Sequence, residues 1–302
     1  MLKITSNSVL ASEVAEFLGK KLQGENVVIY GPCTPDKITD RSIVYLNKKD
    51  ALPHVELKKR EEILVLCERD LGKGAPASYI VTSQPELDFV RVINKFFTRP
   101  LPSQIDKQAI VEEGAKVGAR VNIYAGSFIG ADVEIDEGTT IFQNVVITGK
   151  VKIGKNCVIK ANSTVGSEIF HFVYAKDKWE QFPQVGGIVI GDNVWIGGNT
   201  TVEKGSLSDT VIEDGAKIDD LVQIGSGSVI GCDAIVAAGA VICRNVTIGG
   251  KCWIAPNASI RENITIGNES TVGLGAVVIA DVKAKTVVAG NPAKLIRSHK
   301  KT

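Results

Sequence analysis

Histidine and cysteine are the side chains most often used as bases, nucleophiles and metal ligands, and this sequence contains few of either. Its only histidines are His54, His171 and His299, and none of its six cysteines belongs to a Cys-x-x-Cys pair. Zinc sites usually need about four such ligands at short, regular spacing. The sequence therefore predicts no metal site, and we expect the cysteines to be small buried thiols.

His171 is the histidine whose surroundings best suit a role in chemistry. It stands between Phe170 and Phe172, in a segment (167–187) that interrupts a regular repeat. Because an imidazole titrates near neutral pH, it can act as a general base or hold a substrate. We therefore take His171 as the candidate catalytic residue. The alternative is a partly buried, hydrogen-bonded histidine without a chemical role.

Charge and hydropathy exclude several classes of partner. The chain has 35 lysines and arginines against 34 aspartates and glutamates, so no strong field attracts nucleic acid or an anionic membrane. No stretch of about 18 apolar residues predicts an integral membrane segment, and the N-terminus does not have the pattern of a secretion signal. We expect a cytoplasmic protein.

The elements that must position any active site follow a repeat of six residues. Every sixth residue is Ile or Val from Ile105 to Val165 and again from Ile190 to Val278, with one shift of four residues at 205–208. A spacing of six does not stay on one face of an α-helix. A short strand plus a bend, repeated three times, gives an 18-residue coil and a triangular prism. The broad faces of such prisms predict a closed homotrimer.

Residues 1–100 lack the repeat and have the pattern of a mixed α/β domain. Helices are predicted at 12–18 and 85–97, and buried strands at 26–30, 62–66 and 78–81. Arg99-Pro100-Leu101-Pro102 predicts a stiff connector into the prism.

The hexapeptide pattern resembles that of the left-handed β-helix superfamily, most of whose members are acyltransferases. The resemblance implies an α/β N-terminal domain (1–100), a left-handed parallel β-helix (101–282) with a loop insertion at 167–187, and a tail (283–302). Members that are γ-class carbonic anhydrases hold zinc with several histidines on the coils. Neither uninterrupted run contains a histidine, which argues against that class.

Two motif segments resemble the UDP-3-O-acyl-glucosamine N-acyltransferase family of lipid A biosynthesis. They run from Trp179 to Gly187 and from Asn199 to Ile212, and they match W-x-x-(I/F)-P-Q-(I/L)-G and T-T-I-D-R-G-A-x-x-D-T-x-I. The family's uridine-binding motif, Phe-x-x-Asn-x-Lys, corresponds to residues 44–49 of this chain, where the aromatic residue is Tyr45, one position later than in the motif. The resemblance implies substrate-binding roles for Tyr45, Asn47 and Lys49 in that segment, and for Asp219, Asp220 and Gln223 in the family's Asp-Asn-x-x-Gln.

The chain departs from this family at its catalytic histidine. Where the family has Q-I-A-H-N, this sequence has Gln223-Ile224-Gly225-Ser226-Gly227. A hydroxyl acceptor whose pKa lies near that of bulk water, roughly 15.7, needs a base, whereas an amine with a pKa of roughly 8 is partly neutral at pH 7. Orientation beside a thioester then supplies much of the remaining acceleration. The loss therefore favours an amino sugar as the acceptor.

The C-terminal segment from Val287 to Arg297 resembles the V-x-G-N-P-A-K-x-I-R tail of coenzyme A-dependent acetyltransferases, not the carrier-protein-binding helices of the lipid A family. It implies acyl-CoA, with acetyl-CoA preferred, as the co-substrate. Small residues allow pantetheine to approach the backbone, and cations suit its phosphates. The candidate residues are Gly239, Ala255, Gly273, Lys285, Lys294 and Arg297.

Together these patterns predict an acyl-CoA-dependent N-acyltransferase, most simply an N-acetyltransferase, acting on a nucleotide-linked amino sugar in surface polysaccharide or lipopolysaccharide synthesis. One alternative is the lipid A reaction itself, with an acyl carrier protein as donor. Another is a catalytically silent scaffold that binds a nucleotide sugar.

Overall fold

A computed structural model describes residues 2–4, 8–47, 62–72, 74–100 and 103–298 of the chain. The chain divides into two compact units, residues 1–102 and 103–302. Lys49, predicted to bind substrate, lies outside the described residues.

The first unit is built on a five-stranded sheet with the order β3-β8-β7-β6-β5, in which β5 to β8 are parallel and β3 is antiparallel to β8. Two short helices, α1 (Ala11–Leu18) and α2 (Pro85–Val92), accompany it, and a π-helical turn, Ile93–Phe97, follows α2. The strands are β1 (Leu2–Ile4), β2 (Val9–Leu10), β3 (Leu22–Gln23), β4 (Val28–Ile29), β5 (Gly31–Pro32), β6 (Ser42–Leu46), β7 (Leu64–Cys67), β8 (Ser78–Val81) and β9 (Thr98–Pro100).

Hydrogen-bonding groups at the ends of α1 explain its short length. The Leu10 N–H donates to Glu13 Oε2 at 2.8 Å before the first turn, and Gly19 ends the helix in the left-handed region at φ 64°.

Two expectations for this unit need correction. The helix predicted over 85–97 changes to π-helical geometry at Ile93, and the predicted connector begins as strand β9, which pairs antiparallel with β1.

The second unit is a solenoid of very short strands, interrupted by one hairpin and ended by a two-stranded tail. Its first run contains β10 (Ile110–Val111), β11 (Lys116–Val117), β12 (Asn122–Ile123), β13 (Phe128–Ile129), β14 (Val133–Ile135), β15 (Thr140–Ile141), β16 (Val146–Ile147), β17 (Val151–Ile153), β18 (Val158–Ile159) and β19 (Thr164–Ser167). The hairpin is β20 (Phe172–Ala175) and β21 (Lys178–Gln181).

The second run continues the same coils after the hairpin. It contains β22 (Ile188–Ile190), β23 (Trp195–Ile196), β24 (Thr201–Glu203), β25 (Thr210–Ile212), β26 (Lys217–Ile218), β27 (Gln223–Ile224), β28 (Val229–Ile230), β29 (Ile235–Val236), β30 (Val241–Ile242), β31 (Thr247–Ile248), β32 (Trp253–Ile254), β33 (Ser259–Ile260), β34 (Thr265–Ile266), β35 (Thr271–Val272) and β36 (Val277–Val278). The tail strands are β37 (Thr286–Ala289) and β38 (Lys294–Ser298).

Three parallel sheets form the walls of the solenoid, with nine, eight and ten strands, and only β38 at the end of the ten-stranded sheet is antiparallel. Each strand pairs with the strand one coil later, as Ile129 does with Ile147 and Ile224 does with Ile242. The repeated Ile and Val side chains are almost all fully buried and form one continuous core. The repeat-based prediction of a triangular solenoid is confirmed.

Hydroxyl groups inside the solenoid tie neighbouring coils together. Ser127, Ser163, Thr200 and Ser228 are buried, and each donates to a backbone carbonyl of the following coil at 2.6–2.9 Å. A buried hydroxyl without a partner would cost roughly 1–3 kcal/mol, so these bonds make small polar residues compatible with an apolar core. Ser and Thr can therefore occupy the small-residue positions of the repeat, which face the narrow interior of the solenoid.

Candidate active site

One corner of the solenoid, between its nine-stranded and eight-stranded sheets, carries both interruptions of the repeat. The hairpin segment leaves the nine-stranded sheet after β19 and returns at β22, and the four-residue shift lies between β24 and β25. The two interruptions bind each other: the Val185 N–H donates to the Ser206 carbonyl at 2.8 Å, and the Gly187 N–H donates to Asp209 Oδ1 at 2.7 Å. A single surface is therefore assembled from the two motif segments.

The inserted loop is held at its base by Gln184, whose amide group forms two hydrogen bonds with the backbone of Ile169. The Ile169 N–H donates to Gln184 Oε1 at 2.8 Å, and Gln184 Nε2 donates to the Ile169 carbonyl at 3.0 Å. His171 follows at once, and its ring stacks on Phe182 with the centroids 4.5 Å apart. This arrangement turns His171 toward the corner of the solenoid.

The corner contains adjoining cavities. His171 shares one, of about 310 Å³, with Ser206, Ser226 and Arg244. A larger cavity of about 620 Å³ lies under the aromatic residues of the inserted loop and also reaches Arg244. The side chains lining the larger cavity are Phe170, His171, Phe172, Trp179 and Arg244. The structure therefore places His171 and Ser226, the residue aligned with the family's catalytic histidine, on the wall of the same cavity.

Ser226 is almost fully buried, at 2% exposure, and its Oγ lies 3.2 Å from Ser206 Oγ. The neighbouring carboxylate is Glu203, at the end of β24. Gln223 Nε2 donates to Glu203 Oε1 at 2.8 Å, and the Ser226 N–H donates to Glu203 Oε2 at 3.0 Å. Burial raises the pKa of Glu203 above its usual value, and these two hydrogen bonds only partly offset that effect. The site therefore holds a carboxyl group, that of Glu203, which binds a proton more readily than an exposed glutamate does.

Thr210 connects the strand that bears Glu203 to the turn that bears Ser226. Its hydroxyl donates to the Glu203 carbonyl at 2.7 Å and accepts from the Gly227 N–H at 2.9 Å. Thr210 is fully buried, so both bonds are shielded from water. The geometry of the corner depends on this one side chain.

The predicted substrate-binding residues of this unit are divided between two corners. Gln223 contacts Glu203 at the corner just described. Asp219 and Asp220 lie before β27, at the corner between the ten-stranded and nine-stranded sheets, and both are exposed. Asp220 Oδ1 accepts the Gly198 N–H at 2.6 Å, which caps the preceding coil. The structure therefore does not bring the two aspartates together with Ser226.

In the first unit, Tyr45 packs against α2 instead of standing free. Its hydroxyl donates to Glu86 Oε1 at 3.3 Å, and its ring lies 5.0 Å from that of Phe89. Asn47 is half-buried just beyond β6, at the carboxyl end of the parallel strands. Ligands commonly bind at that edge of a parallel sheet, so Asn47 keeps a suitable position while the ring of Tyr45 is already engaged.

The candidate coenzyme A residues lie along the edge that follows the ten-stranded sheet. Ala255 and Gly273 directly follow β32 and β35, and Gly239 lies in the turn after β29 with φ 70°. Tail strand β38 pairs with β37 at the end of this sheet, which places Lys294 and Arg297 on exposed backbone beside it. The last of the predicted cations, Lys285, is paired with Glu269 at 3.4 Å.

Three residues of the corner were not singled out from the sequence: Glu203, Ser226 as a neighbour of Ser206, and Arg244. A sequence signal existed for Glu203, because it lies in the motif segment from Asn199 to Ile212, directly after Val202 of the repeat. No comparable signal marked Arg244, which is one of many charged residues at bends. Its role is visible only because the cavities at this corner converge on it.

Two general properties accompany this site. Within the described ranges, no helix is long and apolar enough to cross a membrane. Among the same residues, no group of three or more His, Cys, Asp or Glu side chains is placed to hold a metal ion.

Known proteins share this fold. The family described as "Bacterial transferase hexapeptide (six repeats)" matches residues 132–167. The solved structure of UDP-N-acetylglucosamine acyltransferase from Campylobacter jejuni superposes with a TM-score of 0.59 at 24% identity, covering 65% of this chain and 75% of that protein. At this level of identity the similarity shows the fold alone, a left-handed parallel β-helix, as the resemblance to the hexapeptide-repeat superfamily implied.

Curated relatives give a narrower assignment. UDP-3-O-acylglucosamine N-acyltransferase from Coxiella burnetii is 29% identical over 252 residues, covering 75% of this chain and 72% of the relative. The protein of the same name from Albidiferax ferrireducens is 40% identical over 249 residues, covering 81% of this chain and 76% of the relative. The motif segments that meet at the corner, the solenoid and this extent of identity agree: the chain belongs to the UDP-3-O-acylglucosamine N-acyltransferase family of hexapeptide-repeat acyltransferases.

Proposed function

We propose that this protein transfers an acyl group from a thioester to the amino group of a UDP-linked glucosamine that already carries an O-acyl chain. The name of the relatives supports this acceptor over an amino sugar of another surface polysaccharide. The lipid A reaction, which the sequence suggested as an alternative, therefore becomes the preferred function. The N-acyl transfer predicted from the sequence is retained.

The observation that carries the proposal is the environment of Ser226. Ser226 replaces the family's imidazole, is buried against Ser206, and lies beside the half-buried carboxyl group of Glu203. A hydroxyl acceptor, if its pKa lies near the value of roughly 15.7 for bulk water, would have to be ionised by such a site. An amine with a pKa of roughly 8 only has to be held neutral and oriented. The corner suits an amine.

The cavity under the inserted loop supports an acceptor or donor with a hydrocarbon chain. Its apolar lining comes from Phe170, Phe172 and Trp179, and Arg244 supplies a cation at its edge. Arg244 has no ion pair among the described residues and is exposed, so it is free to meet a phosphate group. We assign the acyl chain to the aromatic part of this cavity.

The acyl donor has two candidates. The family resemblance implies an acyl carrier protein, whose thioester is carried by phosphopantetheine. Acyl-CoA is the second candidate because β38 lies beside the edge that contains Ala255 and Gly273, with Lys294 and Arg297 exposed on it. The two donors share the pantetheine arm and differ in the adenosine phosphates, which only acyl-CoA presents to these cations.

Mass spectrometry of the products tests the proposal. The protein is incubated with UDP-3-O-acylglucosamine, or with its analogue bearing a hydroxyl in place of the amine, and with acyl carrier protein or CoA thioesters. We expect a product one acyl group heavier from the amine only. Equal acylation of the hydroxyl analogue would overturn the amine assignment, and binding without any product would support the scaffold alternative.

Variants of the tail identify the donor. If CoA is used, Lys294→Ala with Arg297→Ala raises KM for acyl-CoA several-fold and leaves KM for the acyl carrier protein unchanged. The control for loss of surface charge is the double variant Lys176→Ala with Lys178→Ala. Both lysines are exposed on the hairpin of β20 and β21, away from the tail. An unchanged KM for acyl-CoA would exclude the tail from the donor site.

A further inference from the structure

Glu203 is the titratable side chain most closely attached to the turn where the family's imidazole is missing. Its carboxylate accepts the Ser226 N–H through Oε2 and the Gln223 amide through Oε1, at 3.0 and 2.8 Å. The two oxygens of a carboxylate provide about four acceptor positions. Because these bonds use two of them, Glu203 keeps acceptor capacity toward the cavity of about 380 Å³ that it lines with Arg244 and Glu262.

No neighbouring cation neutralises this carboxylate within the described ranges. The adjacent Lys204 places its Nζ 3.0 Å from Glu168 instead, and that contact lowers the pKa of Glu168. Glu203 forms no salt bridge there, and burial raises its pKa. A carboxylate that is half-buried and unpaired takes up a proton more readily than an exposed one, and it favours a bound cation such as an ammonium group.

The other titratable groups facing Glu203 come from the next two coils. They are Cys243 and Arg244 after β30 and Glu262 after β33. The pKa of the Cys243 thiol is raised by burial first and then by Glu262 and Glu203, so this thiol stays neutral near pH 7. Cys243 therefore does not compete for the proton, and Arg244 remains a cation throughout.

We propose that Glu203 is a catalytic residue that accepts the proton of the acceptor amine, in the place of the missing imidazole. The inference rests on the proposed N-acyl transfer. Glu203, on β24, takes the role that the histidine has in the family, because the aligned position in this chain is Ser226. Gln223 and the Ser226 N–H are the groups that hold the carboxylate in place.

The chemical step balances without any further reactant. The Glu203 carboxylate takes one proton from the sugar ammonium, which leaves a neutral amine and a carboxylic acid. The nitrogen lone pair forms the new C–N bond at the thioester carbonyl, and the C–S bond breaks with its electron pair on sulfur. The second N–H proton is lost as the amide forms; one proton reaches the thiolate and one returns to solvent, which restores the Glu203 carboxylate.

The dependence on pH follows from this step. The active complex contains ionised Glu203 and a protonated amine, so kcat/KM is high between the pKa of Glu203 and the amine pKa of roughly 8, and it falls as the pH drops through the pKa of Glu203. An enzyme without this base needs a substrate amine that is already neutral. Its kcat/KM then rises about tenfold per pH unit up to the amine pKa of roughly 8.

The test compares Glu203→Gln with the wild type between pH 5 and 9. We expect kcat/KM at pH 7 to fall about tenfold, because only about a tenth of an amine with a pKa of roughly 8 is neutral there, and we expect kcat/KM to rise with pH instead of forming a plateau. Glu203→Asp keeps a carboxylate and is expected to recover part of kcat/KM together with the plateau. Glu134→Gln, at an exposed carboxylate paired with Lys116 on the eight-stranded sheet, is the matched control.

Thermal unfolding of each variant shows whether the fold is retained. Full turnover by folded Glu203→Gln, with the wild-type pH profile, would overturn the inference and leave N-acyl transfer intact. So would a Glu203→Asp variant that is as slow as Glu203→Gln and shares its rising profile. The absence of any N-acylated product from the wild type would instead overturn the proposed function, and the inference would fall with it.

Discussion

Thr210 shows how one buried hydroxyl determines the geometry of the site. It bonds the Glu203 carbonyl and the Gly227 N–H, which belong to consecutive coils. Gly227 lies in the turn that carries Ser226, so the two bonds of Thr210 fix the position of that turn relative to Glu203. A side chain of the same shape without the hydroxyl leaves the Gly227 N–H buried and without its partner.

Thr210→Val is therefore expected to destabilise the protein by roughly 1–3 kcal/mol, the cost of a buried donor left unpaired. Because the turn that carries Ser226 loosens as well, kcat should fall while KM for the donor changes little. Denaturant unfolding and steady-state kinetics measure the two effects. Thr247→Val, at an exposed strand position, is the control, and equal stability of the two variants would contradict the role given to Thr210.

His171 and Glu203 are alternative acceptors for the proton of the substrate amine, and the two alternatives predict different pH profiles for a His171 variant. Stacking on Phe182 positions the His171 ring at the cavity wall, which suits contact with a sugar or a phosphate. If Glu203 takes the proton, His171→Asn should raise KM for the nucleotide sugar and keep the pH plateau of kcat/KM. A variant that lost the plateau would return the role of base to His171, as the sequence first indicated.

The inserted hairpin, β20 with β21, is the element whose position depends most on a few polar contacts. Its outer residues are exposed, and its base is fixed by the paired hydrogen bonds between Gln184 and Ile169. Since the larger cavity is lined mainly by residues of this loop, the proposed acyl binding there requires the loop to be closed on the solenoid.

Gln184→Ala should open the loop without unfolding the solenoid. The two lost bonds contribute roughly 0.5–1.5 kcal/mol each, so local opening becomes about tenfold more frequent or greater. Hydrogen exchange at 170–183 should accelerate, and KM for the acyl donor should rise, while the thermal midpoint stays within about 2 °C. Gln143→Ala, an exposed glutamine in the first run, is the control; unchanged exchange at 170–183 would contradict the role of Gln184.

The sequence predicted the solenoid because its information is local and repeated. A residue such as Ile224 faces the core for the same reason as Ile242, eighteen residues later, and each repeat adds independent support. The hairpin and tail strands were not predicted as strands, because neither belongs to the repeat. Their pairings, such as Tyr174 with Trp179, arise from one turn each.

The corner that carries the candidate site was only partly predictable for a related reason. Gln223 was found through a motif, but its partner Glu203 lies 20 residues earlier in the chain, and Arg244 lies 21 residues later. Only the closure of the coil places these three side chains around one cavity. Asp219 and Asp220 show the opposite case. They are close to Ser226 in the sequence motif, but they lie at a different corner of the solenoid.

Assembly remains a prediction, and the distribution of exposed apolar residues supports it. The corner that carries the inserted loop exposes Phe170 by 90%, Val185 by 72% and Leu207 by 69%. Large apolar side chains grouped in this way usually mark a contact with another chain. In a cyclic trimer the loop of each subunit meets a different surface of the next subunit, so three equivalent clefts form and the ring closes.

Sedimentation equilibrium should therefore give three times the chain mass of 32.2 kDa. Replacing Phe170 and Val185 by Asp should shift the mass toward that of the monomer and reduce acyl transfer, since charges would have to be buried in the contact. Ile110→Asp, at a similarly exposed position in the first coil of the nine-stranded sheet, is the control and should keep the trimer. A wild-type chain that is monomeric and fully active would show that the corner needs no second subunit, and the cavity under Trp179 would then be the complete acyl site.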